Sequence, residues 1–349
     1  MTPAASRTAR RLDRRVYLRS HPVLFALLCA TRRRPVVRLG RTVLVHGTDA
    51  YREVLTKVPL DRTAPGTTGG AAARLTDGGL LFDQDGSEHR AARRALAAEL
   101  TTGALDRIRP HWQAVLAARV PALTEGELEL VGLARELAGV TVASLTGSGH
   151  RPELLVRAAA DAASAAVRDH LPGPRRRPRA DAAAALTALL PDPLDAMLAV
   201  AAVNTTVAAL PRAAAWCAAA GLWPTAATAP ELAAELLRLT APSPILPRVA
   251  AAGATVAGCP IAPGDRLVLV ARHAAGAHRP GPATGPAATQ AVFGAGPHAC
   301  PGAGLARVQL ADLLLALAPH RPVVRRARVD RRAALPGYAE LTLRAGRAR

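Results

Sequence analysis

One stretch holds the residue types from which chemistry could be built. Phe293 to Gly302 reads Phe-Gly-Ala-Gly-Pro-His-Ala-Cys-Pro-Gly. Three glycines, two prolines and one cysteine within ten residues exclude regular helix or strand and predict a tight, fixed loop. Directly after it, residues 303–314 have helical propensity, with Leu305, Val308 and Leu313 at roughly helical spacing. Cys300 is therefore expected on a rigid loop at the mouth of a helix. Backbone N–H groups and the positive end of the helix dipole would lower its pKa and favour a thiolate. Gly294 and the other glycines let the backbone approach a flat, large ligand closely, and Phe293 supplies an apolar wall. The competing reading is a buried free cysteine in a glycine-rich turn.

The pattern Phe-Gly-x-Gly-x-His-x-Cys-x-Gly, with His298 at its centre, resembles the heme-binding loop of the cytochrome P-450 family. That resemblance implies heme b (iron protoporphyrin IX), with Cys300 as the axial iron ligand and His298, Phe293 and Gly294 lining the cofactor. A thiolate in that position pushes electron density onto iron and favours O–O cleavage.

Other motifs fall in the order that the resemblance requires. His89 and Arg93 lie four apart and share one face of a helix expected from Gly86. Alone they read as a solvated charged face; in the family such a pair meets a heme propionate. Arg90 and Arg94 would then point elsewhere, toward a surface where a ferredoxin docks. Ala201-Ala202-Val203-Asn204-Thr205-Thr206 resembles the family's oxygen-binding helix, with Ala202 replacing a glycine and Asn204 a carboxylate. Thr205 falls where the catalytic alcohol belongs. Asn204 can position water but cannot titrate. The bland reading is β-branched residues in a core helix, which Pro211 is expected to kink or end.

Glu235 and Arg238 can pair along a helix. Such pairs are common and mostly superficial; the resemblance makes this one a buried structural brace. Arg248, in the strand after the proline-rich corner at 242–247, matches the family's propionate-binding arginine.

The scaffold implied is mainly α with small β-sheets (α+β), one domain around a buried heme. Its expected bounds are a flexible basic segment over 1–20 and a heme-thiolate domain over 21–349. A hairpin is expected at 35–46, turning at Gly40-Arg41, then a helix from Thr48 capped by Thr48 or Asp49. Residues 58–82 read as mostly loop. Two helices follow over 105–123 and 128–145. The lid region, about 147–193, looks shortened and interrupted by the basic linker at 172–179. Strands are expected at 255–257 and 266–270, with Pro263-Gly264-Asp265 as the turn, and a final strand pair within 322–343 turns at Pro336-Gly337.

The chain has 349 residues, of which half are hydrophobic and 3% aromatic, so alanine, leucine and valine must fill the core. A formal charge of +19 fits either an arginine-rich coding bias or a basic face for an acidic partner such as a ferredoxin. No aromatic interleaving or recognised motif points to nucleic acid. Cys29, Cys217, Cys259 and Cys300 lack zinc-site spacing and fit reduced thiols in a cytoplasm. The apolar run 23–30 is too short for a secretory signal, and 194–210 reads as a core helix, not a membrane span.

The expected activity is insertion of one oxygen atom from dioxygen into a small organic substrate, free or carrier-tethered, with ferredoxin electrons, in a context of secondary metabolism. Asn204 and the short lid also admit a peroxide-driven, coupling or rearrangement enzyme, or a non-catalytic heme-fold binding protein.

Overall fold

The computed structural model describes residues 3–76, 81–168, 180–279, 286–331 and 333–346. Helices α1 (Pro3–Ser20) and α2 (Pro22–Thr31) precede the hairpin β1 (Val36–Leu39) and β2 (Thr42–Val45). Then come α3 (Thr48–Lys57), α4 (Thr68–Thr76), α5 (Gly86–Glu99), α6 (Thr102–Arg119) and the single turn α7 (Ala122–Glu125). Strand β3 (Glu127–Glu129) leads into α8 (Leu130–Thr146), α9 (Pro152–Arg168), α10 (Ala180–Leu189), α11 (Pro193–Ala220) and α12 (Ala229–Thr240). The strands β4 (Leu246–Val249), β5 (Ala254–Val256), β6 (Cys259–Ile261) and β7 (Arg266–Leu269) follow, then α13 (Ala271–Ala274) and α14 (Pro286–Gln290). Helix α15 (Ala303–Leu317) and the hairpin β8 (Val323–Asp330) and β9 (Gly337–Arg344) complete the fold.

The architecture is mainly α with three small sheets, in the orders β1-β2-β7-β4, β3-β9-β8 and β5-β6. β2 and β7 run parallel, whereas β4 and β7 pair antiparallel. The largest core cluster joins α6, α8, the C-terminal half of α11, α12 and α15, with leucine and alanine supplying most of its buried atoms. A second cluster packs α3 on the four-stranded sheet. These two bodies hold the 293–302 loop between α3 and α15.

Several expectations change. Residues 3–20 are not frayed. Ala9, Asp13, Val16, Tyr17 and Ser20 recur at helical spacing and are buried, and arginines cover the outer side. Asp13 Oδ1 accepts from Arg212 Nη2 at 2.6 Å, and its Oδ2 accepts from Arg272 Nη2 at 2.6 Å. Helix α11 runs through Pro211 to Ala220. Its segment 208–217 is wholly buried, and that packing outweighs the hydrogen bond a proline cannot make. Neither Thr48 nor Asp49 caps α3; the cap position is Gly47, without a side-chain bond, and Thr48 Oγ1 instead donates to Ala274 O at 2.7 Å. The stretch 58–82 is mostly irregular where it is described, but it also contains α4. The linker at 172–179 lies outside the described residues. Helix α9 has 17 residues and α10 has 10, so what is described of the lid region includes one full-length helix.

Among the described residues, α11 is the one helix long and apolar enough to cross a membrane. It packs against α1, α8, α9 and α12, as a core helix does.

Candidate functional site

The cysteine loop is built as its glycines require. Gly294 and Gly296 have φ of 79° and 69°, a region closed to most L-residues. A Cβ on Gly296 would stand 3.1 Å from both Leu55 O and Thr56 Cγ2, so the loop lies tight on the end of α3. Cys300 N–H donates to Phe293 O at 2.7 Å and closes the loop. Gly302 then takes the N-cap position of α15. Phe293 is held by the Arg307 guanidinium, 4.8 Å from its ring centroid.

The thiol departs from expectation. Cys300 presents exposed surface, yet the protein packed around the rest of it pushes the thiol pKa up by desolvation. The Gly302 N–H, Arg93 and Arg307 pull in the opposite direction but do not prevail. The helix end therefore does not by itself make a thiolate. A cation bound at sulfur would, because a coordinating thiol is deprotonated outright.

Beside the loop lies a cluster of buried cationic and imidazole groups. His89 on α5 is 2% exposed, and its ring stacks on that of His298 with centroids 3.8 Å apart. Arg248, on β4, donates through Nη1 to Pro247 O at 2.7 Å and to Thr68 Oγ1 at 3.3 Å. Leu60 bridges to Ala250, and Asp61 N–H donates to Val249 O at 2.9 Å. That non-local pairing brings Arg62 beside Arg248. Burial lowers the pKa of each of these four groups, to about 10 for Arg248 and about 4 for His298, and Arg62 pushes Arg248 and His298 further down.

Four buried nitrogens in this cluster have no hydrogen-bond partner: the guanidinium Nε–H groups of Arg62 and Arg248, and the imidazole nitrogens His89 Nδ1 and His298 Nε2. Asp85 approaches it, 3.7 Å from His298 Nε2 and 4.0 Å from Arg62 Nε. It is too far to satisfy them, is itself 65% exposed, and caps α5 through Gly86 N–H. Native interiors rarely leave polar atoms without a partner. Four together, next to a cysteine on a glycine-rich loop, match a ligand that carries carboxylates at one edge and a thiophilic centre. Heme has both, and the residues present fit it.

Arg93 is placed differently. Its Nη2 donates to Ala299 O, in the loop itself, so it braces the segment that carries Cys300. Arg90 and Arg94 are exposed, as expected. Arg62 and Asp85 were not singled out by sequence. Arg62 sits in a stretch without periodicity, and only the bridge to Ala250 draws it in. Asp85 had a local signal, since it immediately precedes the helix at Gly86.

Helix α11 carries Asn204 and Thr205. Leu194, Met197 and Leu198 of α11 pack with Ala92 and Leu96 of α5. Ala201 and Thr205 continue that face at i+3 and i+4 intervals, and His89 continues the facing side of α5. Both polar residues are half-buried. Thr205 Oγ1 donates back to Ala201 O at 2.7 Å, and Asn204 Nδ2 donates to Val200 O at 2.9 Å. Back-bonding of this kind loosens a helix locally.

Glu235 and Arg238 form a bidentate pair on α12, at 2.5 and 2.7 Å. Arg238 is 1% exposed and also donates to Ala275 O at 2.8 Å. It therefore ties α12 to the segment after α13, as a brace and not a reacting group.

No protein-family model matches the chain, and no curated protein sequence matches it. Solved structures do. P450BioI, in complex with an acyl carrier protein ligated to hexadec-9Z-enoic acid, superposes with a TM-score of 0.72 at 16% identity, over 95% of this chain and 100% of that one. The chain has the cytochrome P450 fold. A mutant of P450 EryK in complex with erythromycin B gives 0.69 at 22% identity, over 93% of this chain and 97% of that one. CYP108D1 from Novosphingobium aromaticivorans gives 0.66 at 20%, over the whole of both chains. At these identities the likeness is one of fold. Within the P450 fold, the loop of Cys300 and the partnerless nitrogens supply the chemical argument.

Proposed function

We propose that this chain is a heme-thiolate monooxygenase. The observation that carries the reading is the group of four partnerless buried nitrogens beside the loop of Cys300. Cys300 would ligate the iron of heme b. His89, His298, Arg62 and Arg248 would hold its carboxylates, while Arg93 fixes the loop and Phe293 closes one side. When bound, a thiolate-ligated heme supplies dioxygen activation and oxygen transfer, with electrons arriving singly from a ferredoxin or a similar acidic partner.

Asn204 and Thr205 of α11 would hold water and orient protons. Thr205 gives its hydroxyl proton to Ala201 O, which leaves its oxygen free to accept from a water. Asn204 has one N–H committed to Val200 O and keeps a carbonyl and one N–H to orient a second water. Neither side chain titrates, so neither can itself supply a proton.

That absence of an acid supports a second reading, a peroxide-driven enzyme. The test compares turnover of the heme-loaded protein with ferredoxin, reductase and oxygen against turnover with hydrogen peroxide alone. The monooxygenase reading predicts faster product formation in the first arm, and a Thr205→Ala variant that diverts electrons to hydrogen peroxide. A peroxide rate that equals or exceeds it selects the second reading. Turnover in neither arm leaves a heme-fold binding protein. The carrier complex of P450BioI motivates trying substrates both free and thioester-linked to a carrier.

A further inference from the structure

Helix α2 is apolar on both sides. Phe25 and Leu28 are 1% and 0% exposed and pack with Tyr17, Leu44 and Val270. The Phe25 and Tyr17 rings stack at 4.0 Å. That face fixes the helix to α1 and to the four-stranded sheet. The opposite face carries Val23, Ala26, Leu27 and Ala30, at i, i+3, i+4 and i+7, and all four are exposed. Val23 is 85% and Leu27 42% exposed, and both count among the few large apolar side chains left in water.

The surroundings say what covers this stripe. Between Arg14 and Thr48 the chain has eight arginines and no aspartate or glutamate. Arg38 pairs with Asp265 at 2.7 Å, and Arg41 lies 3.9 Å from the same carboxylate. Arg15, Arg19, Arg32, Arg33 and Arg34 are exposed, and among the described residues none has a carboxylate partner. Arg32, Arg33 and Arg34 follow the C-terminal end of the helix directly, and Arg19 lies just before its start. A short apolar ridge bordered by unpaired guanidiniums matches a surface with negative headgroups over an apolar layer. An acidic protein would match the charge but not the ridge, because a stable protein interface takes roughly 800 Å² per partner around an apolar centre. Ten helical residues reach only about 15 Å, half of a hydrocarbon core of about 30 Å, so the helix would lie in the interface and not span it.

We propose that α2 is a peripheral docking element that binds an anionic lipid bilayer, with Val23 and Leu27 inserted and Arg19, Arg32, Arg33 and Arg34 on the headgroups. The arginine stems suit this, since they can lie along the acyl boundary while their heads stay in water.

The test is co-sedimentation of the full chain with vesicles of phosphatidylglycerol or of phosphatidylcholine at about 0.15 M salt, where exposed charges are screened beyond about 8 Å. Binding is expected to phosphatidylglycerol only. Val23→Ser/Leu27→Ser and Arg33→Glu/Arg34→Glu should each weaken it at least tenfold while keeping the wild-type thermal melt. Arg90→Glu/Arg94→Glu, equally exposed on α5, should leave it within twofold. No sedimentation with phosphatidylglycerol overturns the proposal. So does an equal loss in all three variants, or a Val23/Leu27 variant that binds like wild type, because either would mean diffuse attraction by a basic chain. Self-association in solution that vanishes with Val23→Ser/Leu27→Ser, without vesicle binding, would assign the stripe to a second copy instead.

Discussion

Two buried clusters of basic side chains lie among the described residues, and they differ in one respect. Around Asp13, the guanidiniums of Arg212 and Arg272 are closed off. Arg212 Nη2 holds Oδ1 and Arg272 Nη2 holds Oδ2, each at 2.6 Å, and their Nη1 groups donate to Pro336 O and to Leu239 O and Thr240 O, respectively. Around His298, nitrogens of Arg62, Arg248, His89 and His298 itself end on nothing. The first cluster ties α1 to α11 and α13 and has no capacity left. The second has two guanidinium donors and two imidazole nitrogens without partners. Buried charge alone does not mark a binding site; buried polar groups without partners do.

Breaking the closed cluster should have the largest effect on folding. Asp13→Ala strands two buried guanidiniums and is expected to cost about 3–5 kcal/mol, read as a lower denaturant midpoint at unchanged m-value. It should leave heme affinity per folded molecule untouched. An Asp13→Ala protein as stable as wild type would show that α1 is a dispensable ornament on the fold.

Breaking the open cluster should do the reverse. Arg248→Ala or His89→Ala should weaken heme binding by about ten- to a hundredfold, the range of a lost charged hydrogen bond. The heme-free protein should lose little stability, because burial and like charge already disfavour these groups. A heme titration by Soret absorbance and a melt on the same sample check both halves. Arg62→Ala should follow the same pattern more weakly, as its side chain is 12% exposed.

A smaller effect sharpens the contrast through pH. Burial and Arg62 hold His298 near 4, against an ordinary 6.5. Between these values the unfolded chain binds the proton and the folded chain does not. Stability is therefore full above about pH 6.5, declines toward pH 4 and levels below it. His46 and His278, also near 4, and His273, near 2, act in the same direction from a separate site. Carboxylates bound at the open cluster would raise His298 and remove its share of the acid loss, leaving that of the other three. Urea unfolding at pH 7 and pH 4.5, with and without heme, should show a shallower acid loss in the loaded protein; equal losses would count against His298 as a ligand-facing group.

The same contrast explains what could be read before folding. The Cys300 loop was legible because its constraint is local: glycine and proline density admits few conformations. Glu235 with Arg238, and His89 with Arg93, were legible because helical spacing alone brings each pair to one face. Arg62 was not, since its neighbour Arg248 lies far along the chain and only the Leu60–Ala250 bridge joins them. Helix α1 had a signal in Ala9, Asp13, Val16 and Tyr17, masked by the arginines between them. Pro211 misled because the penalty is local and the compensating burial of 208–217 is tertiary. The lowered Cys300 pKa misled for a related reason: desolvation by the folded protein opposes the helix end.

Every role proposed for the site depends on thiolate ligation by Cys300. The most direct measurement is the carbon monoxide difference spectrum of the dithionite-reduced, heme-loaded protein, beside that of Cys300→Ser. The prediction is a strongly red-shifted Soret band in the wild type that is lost in the variant. A band at the position of a histidine- or thiol-ligated heme, an identical spectrum from the variant, or no heme uptake would contradict it.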